Sequence, residues 1–250
     1  MEESLAKIRP HVSSSLLHQK RPATLLAALE STFKQQNTQL SPTAYFAALL
    51  TTLDGTVQKN DVGFEDGDIL PAELYLLALV LPFVPAPVIR THLTTLLSLT
   101  SPLFLGLSQH APPLRSQLSI YQSIFKTLDK SQLDSQAIRQ SFASILQLCI
   151  DPRPKVRKKA ADVVRDVLAL PPAPLLRHPY AERVADWVKR ILSEDASPFA
   201  KAKHGKPSEG SGPDTAIHVL AFLRPVLHNL PATVSGIGYG FDSRVSDSAD

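Results

Sequence analysis

Asp151–Leu168 reads DPRPKVRKKAADVVRDVL, and the spacing of its residues decides the fold. Asp151 offers an acceptor to the orphan N–H groups of a first helical turn, and Pro152 stands where a helix needs no donor. Val156, Ala160, Val163 and Val167 recur at steps of four, three and four, so one face is apolar. The other faces carry Arg153, Lys155, Arg157, Lys158, Lys159 and Arg165, which cannot all be buried and so meet water or an anion.

The same grammar extends outward. Leu and Ala dominate, only 6% of the residues are aromatic, and 21 prolines punctuate the 250 residues. That composition suits many helices broken at proline-marked turns better than sheets. Helices are predicted at Pro22–Asn37, Pro42–Val57, Pro71–Val84, Pro87–Leu99, Pro112–Leu128, Ser131–Ile150, Pro152–Leu170, Pro179–Leu192 and Pro213–Leu230. Pairing Ala111–Leu128 with Ser131–Ile150, and Pro152–Leu170 with Pro179–Leu192, gives units about forty residues apart, the period of HEAT-type arrays. The expected fold is therefore all-α, an α-solenoid of HEAT-type antiparallel helix pairs. It divides into HEAT-like repeats over 1–198, a flexible polar loop over 199–212, a further repeat helix over 213–230 and an irregular tail over 231–250. That tail lacks a polar-faced cap and is expected to continue into a longer array. Asp54–Asp68, acidic and glycine-containing, is expected to be a surface loop rather than packed core.

Chemistry is hard to find in this chain. Cys149 is the one cysteine, set among Leu146, Leu148 and Ile150, which describes a buried, inert thiol. The histidines His11, His18, His92, His110, His178, His204, His218 and His228 lack i, i+4 spacing with a carboxylate partner, so no metal centre is expected. Asp61, Glu65, Asp66 and Asp68 lack the ligand spacing of a helix-loop-helix calcium site. Gly236–Gly240 has neither the preceding strand nor the closing Lys-Ser/Thr of a phosphate loop. Neither a catalytic residue, a cofactor nor a small-molecule substrate is expected. No apolar run approaches the ~20 residues that a bilayer span requires, and the amino terminus lacks the pattern of a secretory signal, so a soluble, non-secreted protein without a membrane partner is expected.

Charge is where a function becomes visible. Residues 1–150 balance 11 basic against 11 acidic side chains, residues 151–206 carry 13 against 7, and residues 207–250 carry 2 against 5. The basic excess is thus local, and an anionic partner is expected there. Arg153, Lys155, Arg157, Lys158, Lys159 and Arg165 form the candidate nucleic-acid or acidic-partner site. They serve RNA phosphates, an acidic protein, a nuclear-import signal (KVRKK) or plain solvation. Arg177, Arg183, Lys189, Arg190, Lys201, Lys203 and Lys206 continue the basic surface, much of it within reach of Glu182, Asp186 and Glu194. Trp187, Tyr45, Phe46, Tyr75, Phe104 and Phe125 read as core residues rather than base-stacking platforms.

Two resemblances sharpen the expectation. Asp151, Val156, Arg157 and Ala160 match the HEAT pattern, an Asp at the turn before the second helix followed by Val-Arg and a small residue. Beyond it, MEESLAKIRPHVSSSL (1–16), SPTAYFAALLTTLDG (41–55) and DPRPKVRKKAADVVRDVL (151–168) together resemble the amino-terminal part of the fungal ribosomal RNA-processing protein 12 family. The resemblance implies a non-enzymatic HEAT scaffold of nucleolus and nucleus, shuttling to the cytoplasm. It implies a role in pre-rRNA processing and ribosome biogenesis. It further implies binding to small-subunit precursor particles, with pre-ribosomal RNA and assembly factors as partners, and support for nuclear export of subunits with the nuclear transport machinery as a further partner. The alternative is a transport-receptor-like or adaptor HEAT protein that binds only protein partners.

Overall fold

Ser41 shows how the helices of this chain begin. Its side chain accepts the Ala44 backbone N–H at 3.2 Å while Pro42 occupies the first helical position. The computed structural model describes residues 1–59, 62–65, 67–201 and 213–231. Among the described residues every regular element is helical. In order they are α1 (Glu2–Ile8), α2 (Leu17–Gln35), α3 (Pro42–Val57), α4 (Ile69–Val80), α5 (Ala86–Thr91), α6 (Leu93–Thr100), α7 (Leu103–Gly106), α8 (Ala111–Phe125), α9 (Lys130–Leu133), α10 (Gln136–Leu148), α11 (Pro154–Leu168), α12 (Ala181–Lys201) and α13 (Pro213–Val226).

Several boundaries differ from expectation for reasons visible in the chain. Asp151 does not cap α11. Its carboxylate accepts the Arg153 backbone N–H at 2.8 Å and both ends of the Arg153 guanidinium, so Arg153 becomes the cap and Pro154 the first helical residue. Helix α2 starts five residues before Pro22, which the first turns accommodate, and α1 packs beside it without any proline to announce it. Pro87–Leu99 and Ser131–Ile150 each divide in two, the first at His92 and the second between α9 and α10. Helix α12 runs past Phe199, where a polar loop was expected, and residues 202–212 and 232–250 lie outside the described residues.

The helices stack in two layers. Helices α2, α4, α8, α11 and α13 form one ladder, each packed on the next, while α3, α10 and α12 back α4, α11 and α13 respectively. The pairing is thus shifted by one helix from the expected one. Helix α10 partners α11 and α12 partners α13, whereas α8 packs mainly on α4 and α11. Connection length explains the shift. Only Cys149–Arg153 separates α10 from α11, which forces an antiparallel hairpin, while longer crossings lead from α8 to α10 and from α11 to α12. The turn before α11 is then the intrarepeat turn, where the HEAT pattern places its Asp. This is a HEAT-type all-α solenoid.

Burial follows the ladder. Val156, Ala160, Val163, Val164, Val167 and Leu168 form the inner face of α11. Between α8, α10 and the start of α12, Phe142 sits edge-on to Phe125 at 5.6 Å and 4.4 Å from Tyr180, whose hydroxyl donates to the Leu133 carbonyl at 2.6 Å. The Tyr121 hydroxyl joins Thr100 and Ser101 at 3.0 and 2.9 Å, and Gln117 donates through Nε2 to the Thr100 carbonyl while its buried Oε1 finds no partner among the described residues.

Two buried titratable groups oppose one another. Glu73 on α4 is 1% exposed, accepts the Thr56 hydroxyl at 2.9 Å through Oε1 and leaves Oε2 without a partner, so burial pushes its carboxyl up to about 7. His178 is 3% exposed and accepts the Tyr180 N–H through Nδ1, and burial pulls its imidazole down to about 4. A proton taken up by folded Glu73 before its unfolded counterpart adds stability as pH falls from 7 toward 4.5. A proton that unfolded His178 takes up, and folded His178 refuses, removes stability as pH falls through 6.5. Each shift corresponds to roughly 3 kcal/mol, so the two nearly cancel. In thermal melts, Glu73→Gln is expected to raise the midpoint above pH 7 and to expose a steady loss of stability on acidification. His178→Gln is expected to gain stability over the same range. Profiles parallel to wild type in both variants would refute this pairing.

Candidate anion-binding groove

Helix α11 divides its cations between two fates. Arg153 is spent on Asp151 in a 2.8 Å ion pair, and Arg157 donates to the carbonyls of Asp151 and Pro152 at 2.7 and 3.2 Å. Burial opposes ionisation of Asp151, yet the hydrogen bonds from Arg153 hold its carboxyl below the usual range. Arg165 bridges Asp162 at 2.7 Å and Asp166 at 3.0 Å. Lys159 donates to Gln122 Oε1 at 2.8 Å, and the same Gln122 donates through Nε2 to Asp166 at 2.6 Å, tying α11 to α8. Burial lowers the Lys159 pKa although Asp162 and Asp166 draw it up. Lys155 and Lys158 are exposed, and among the described residues neither makes a salt bridge or a side-chain hydrogen bond. The six residues therefore stand close together on one helix and its start, but only Lys155 and Lys158 have no hydrogen-bond partner for their side chains among the described residues.

Those two open onto a groove of about 1060 Å³ that the ladder creates. Helix α11 contributes Lys155, Lys158, Lys159 and Asp162, and α8 contributes Pro112, Pro113 and Arg115. Helix α4 supplies Pro71, Ala72, Tyr75 and Leu79, and α2 supplies His18, Arg21 and Pro22, with Lys7 and His11 closing the far end. Six cationic side chains in this lining meet two carboxylates, Asp68 and Asp162. Arg21 donates through Nε to the carbonyl of Gly67, a residue at φ 100° that only glycine adopts easily, and this fixes the groove's edge.

Helices α2, α8 and α11 enter the groove by their amino-terminal turns, while α4 runs along it from Pro71 to Leu79, so the first three point the same way. None of the four is capped by a side chain, and none has an acidic residue in its first turn. Asp68, the cap residue of α4, turns its carboxylate to the Glu65 N–H instead. Positive helix ends and positive side chains thus share one surface, an unfavourable arrangement in the absence of a counter-charge.

Other expectations fall out as follows. Tyr75 is not core, being 41% exposed in the groove, because its position on α4 faces the ladder's open side rather than α3 or α8. Tyr45, Phe46, Phe125 and Trp187 are buried, Trp187 edge-on to Phe222 at 5.8 Å, and Phe104 is half-buried 5.1 Å from Tyr121. Cys149 is buried, and burial pushes its thiol up, so it is not a ready nucleophile. The stretch from Asp54 is not all loop. It remains helical to Val57, and Phe64 packs on Gly106, where a Cβ would meet the ring at 2.6 Å. In the second basic group, the Arg183 guanidinium lies 5.9 Å from the Tyr180 ring centroid. Asp61, Asp66, Lys203, His204, Lys206 and Gly236–Gly240 lie outside the described residues. The groove itself was missed because Lys7, Arg21 and Arg115 are lone cations at remote positions, and only the ladder brings them to Lys158.

A family model described as RRP12-like, N-terminal HEAT repeats matches residues 9–236. The chain is similar to ribosomal RNA-processing protein 12 of Saccharomyces cerevisiae, 30% identical over 202 residues that cover 77% of this chain and 16% of that protein. It is similar to the RRP12-like protein of Gallus gallus, 30% identical over 89% of this chain, and to that of Homo sapiens, 27% identical over 91%, again with 16% of each relative covered. The chain thus spans about 16% of the length of these relatives. No solved structure matches at a comparable level.

The two fates of the α11 cations separate by mutation. Replacing Lys155 and Lys158 together by Glu is expected to cost no stability and to add up to about 1 kcal/mol, because carboxylates then stand at the positive start of α11. Asp166→Ala, which strips partners from Gln122, Lys126 and Arg165 at once, is expected to cost about 1–3 kcal/mol in chemical denaturation. Equal costs for both changes would contradict the division.

Proposed function

The chain belongs to the RRP12-like family of N-terminal HEAT repeats, and on that premise we propose that it serves as part of a non-enzymatic scaffold in ribosome biogenesis. In this reading the solenoid binds small-subunit precursor particles, holding assembly factors and pre-rRNA together. It thereby supports pre-rRNA processing and the nuclear export of ribosomal subunits, from a place in the nucleolus and nucleus with passage to the cytoplasm. The name of the yeast relative supports the RNA-processing part of the proposal. The observation that carries the mechanism is the helix ladder with its cationic groove, since stacked repeats act by offering an extended surface to large partners. Arg153, Lys155, Arg157, Lys158, Lys159 and Arg165 edge that surface, with Lys155 and Lys158 as the contacting groups.

A second reading, an adaptor that binds only proteins, draws support from the same helix. Arg153, Arg157, Lys159 and Arg165 satisfy themselves within the chain, which leaves fewer cations to neutralise phosphates than the sequence alone offers. Affinity purification of the full-length protein, followed by crosslinking and mass spectrometry, tests both. Copurification of small-subunit precursor RNA with assembly factors, with crosslinks at Lys155 or Lys158, is the expected outcome. If protein partners arrive without any ribosomal particle, the scaffold reading fails and the adaptor reading takes its place.

A further inference from the structure

We propose that the groove between α2, α4, α8 and α11 is the docking site for an acidic protein segment that carries apolar side chains between its carboxylates. The proposal rests on the scaffold reading above and names the chemistry of one partner. Charge comes first. Arg21, Arg115, Lys155 and Lys158, with Lys7 beside its own partner Glu3, reach the groove from four different helices, and the uncapped amino termini of α2, α8 and α11 add their partial positive charges. Arg21, Arg115, Lys155 and Lys158 make no salt bridge among the described residues, so an anion entering here gains from each of them.

The groove also contains an acceptor-seeking group. Arg115 is half-buried, and its Nε is buried with no hydrogen-bond partner among the described residues. An unpaired buried donor is costly, so the Arg115 guanidinium, which lines the groove, favours an acceptor beside it.

The floor then chooses between anions. Pro71, Ala72 and Leu79 line it together with the exposed ring of Tyr75. A phosphodiester backbone has nothing apolar to bury there, and stacking of successive bases needs several aromatic faces where this floor offers one tyrosine ring. A peptide whose apolar side chains settle on the floor while its carboxylates meet the walls uses both features. The volume agrees, because about 1060 Å³ lies at or above the ~1,000 Å³ limit of ordinary small-molecule pockets and runs along four helices.

Fluorescence anisotropy on the 250-residue chain tests this with three probes: a synthetic peptide alternating Glu-Leu and Asp-Phe pairs, poly-glutamate, and oligo-uridine RNA. The mixed peptide is expected to bind tightest. The double change Lys155→Glu and Lys158→Glu, which is expected not to destabilise the fold, is expected to weaken it roughly tenfold or more through reversed charge. Tyr75→Ser is expected to weaken the mixed peptide but not poly-glutamate. Tighter binding of the RNA, or peptide binding indifferent to the double change, overturns the proposal. The scaffold reading has its own readout in copurified ribosomal particles. Particles that copurify with full-length protein while the peptide fails to bind refute the groove's occupant alone, and absent particles refute the scaffold reading.

Discussion

The fold depends on the inability of its central helices to bury themselves alone. Helix α4 has apolar side chains on nearly every side, with Leu70, Leu74, Leu76 and Leu77 all at or below 1% exposure, and it meets that demand by touching α2, α3 and α8 together. Helices α8 and α11 repeat the solution with their own neighbours. Every rung is therefore both a core for one helix and a wall for another, which is how stacked repeats remain stable without a single centre. Glu73 shows how strong the demand is, since the stack encloses a carboxyl group there with only one of its two oxygens paired.

Stacking also sets the electrostatics. Because outer helices return the chain to the same end, α2, α8 and α11 point the same way and their amino termini add up on one side. Ordinary helices relieve that charge with Ser, Asp or Glu near the start, as α3 does with Ser41. The ladder helices instead begin with prolines and cations: Pro154 and Lys155 on α11, Pro112, Pro113 and Arg115 on α8. Side-chain caps are missing from α1, α5, α6, α7 and α10 as well, so what sets the starts of α8 and α11 apart is the cations placed there, an unfavourable local choice of the kind found where function resides.

Much of the architecture could be read before any coordinates. The α11 stripe of Val156, Ala160, Val163 and Val167 is the buried face, the Pro42 start of α3 holds, and Trp187 is core. These rest on local periodicity and capping, which the chain carries within a few residues. The helix pairing was misjudged because it depends on which connection is tight, and α9 hides inside what reads as one long helix. The site was legible by half. Clustered cations on α11 announce themselves, but nothing local tells that Arg165 meets two aspartates or that Lys159 crosses to Gln122. Tyr75 looked like core because its neighbours Leu74 and Leu76 are, and only the ladder's open side distinguishes it. Lys7, Arg21 and Arg115 carry no signal until tertiary packing assembles them.

The link from Lys159 through Gln122 to Asp166 has a mechanical meaning. It braces α8 against α11 with side chains that are already partly withdrawn from water, so this wall of the groove is stiff. Across the opening, the edge near α2 and α4 is held by Arg21 reaching the Gly67 carbonyl, a lighter fastening on a short turn. The α8–α11 wall is thus held by crossing side-chain links in addition to its packing, and the α2–α4 edge by packing and one side-chain-to-backbone contact.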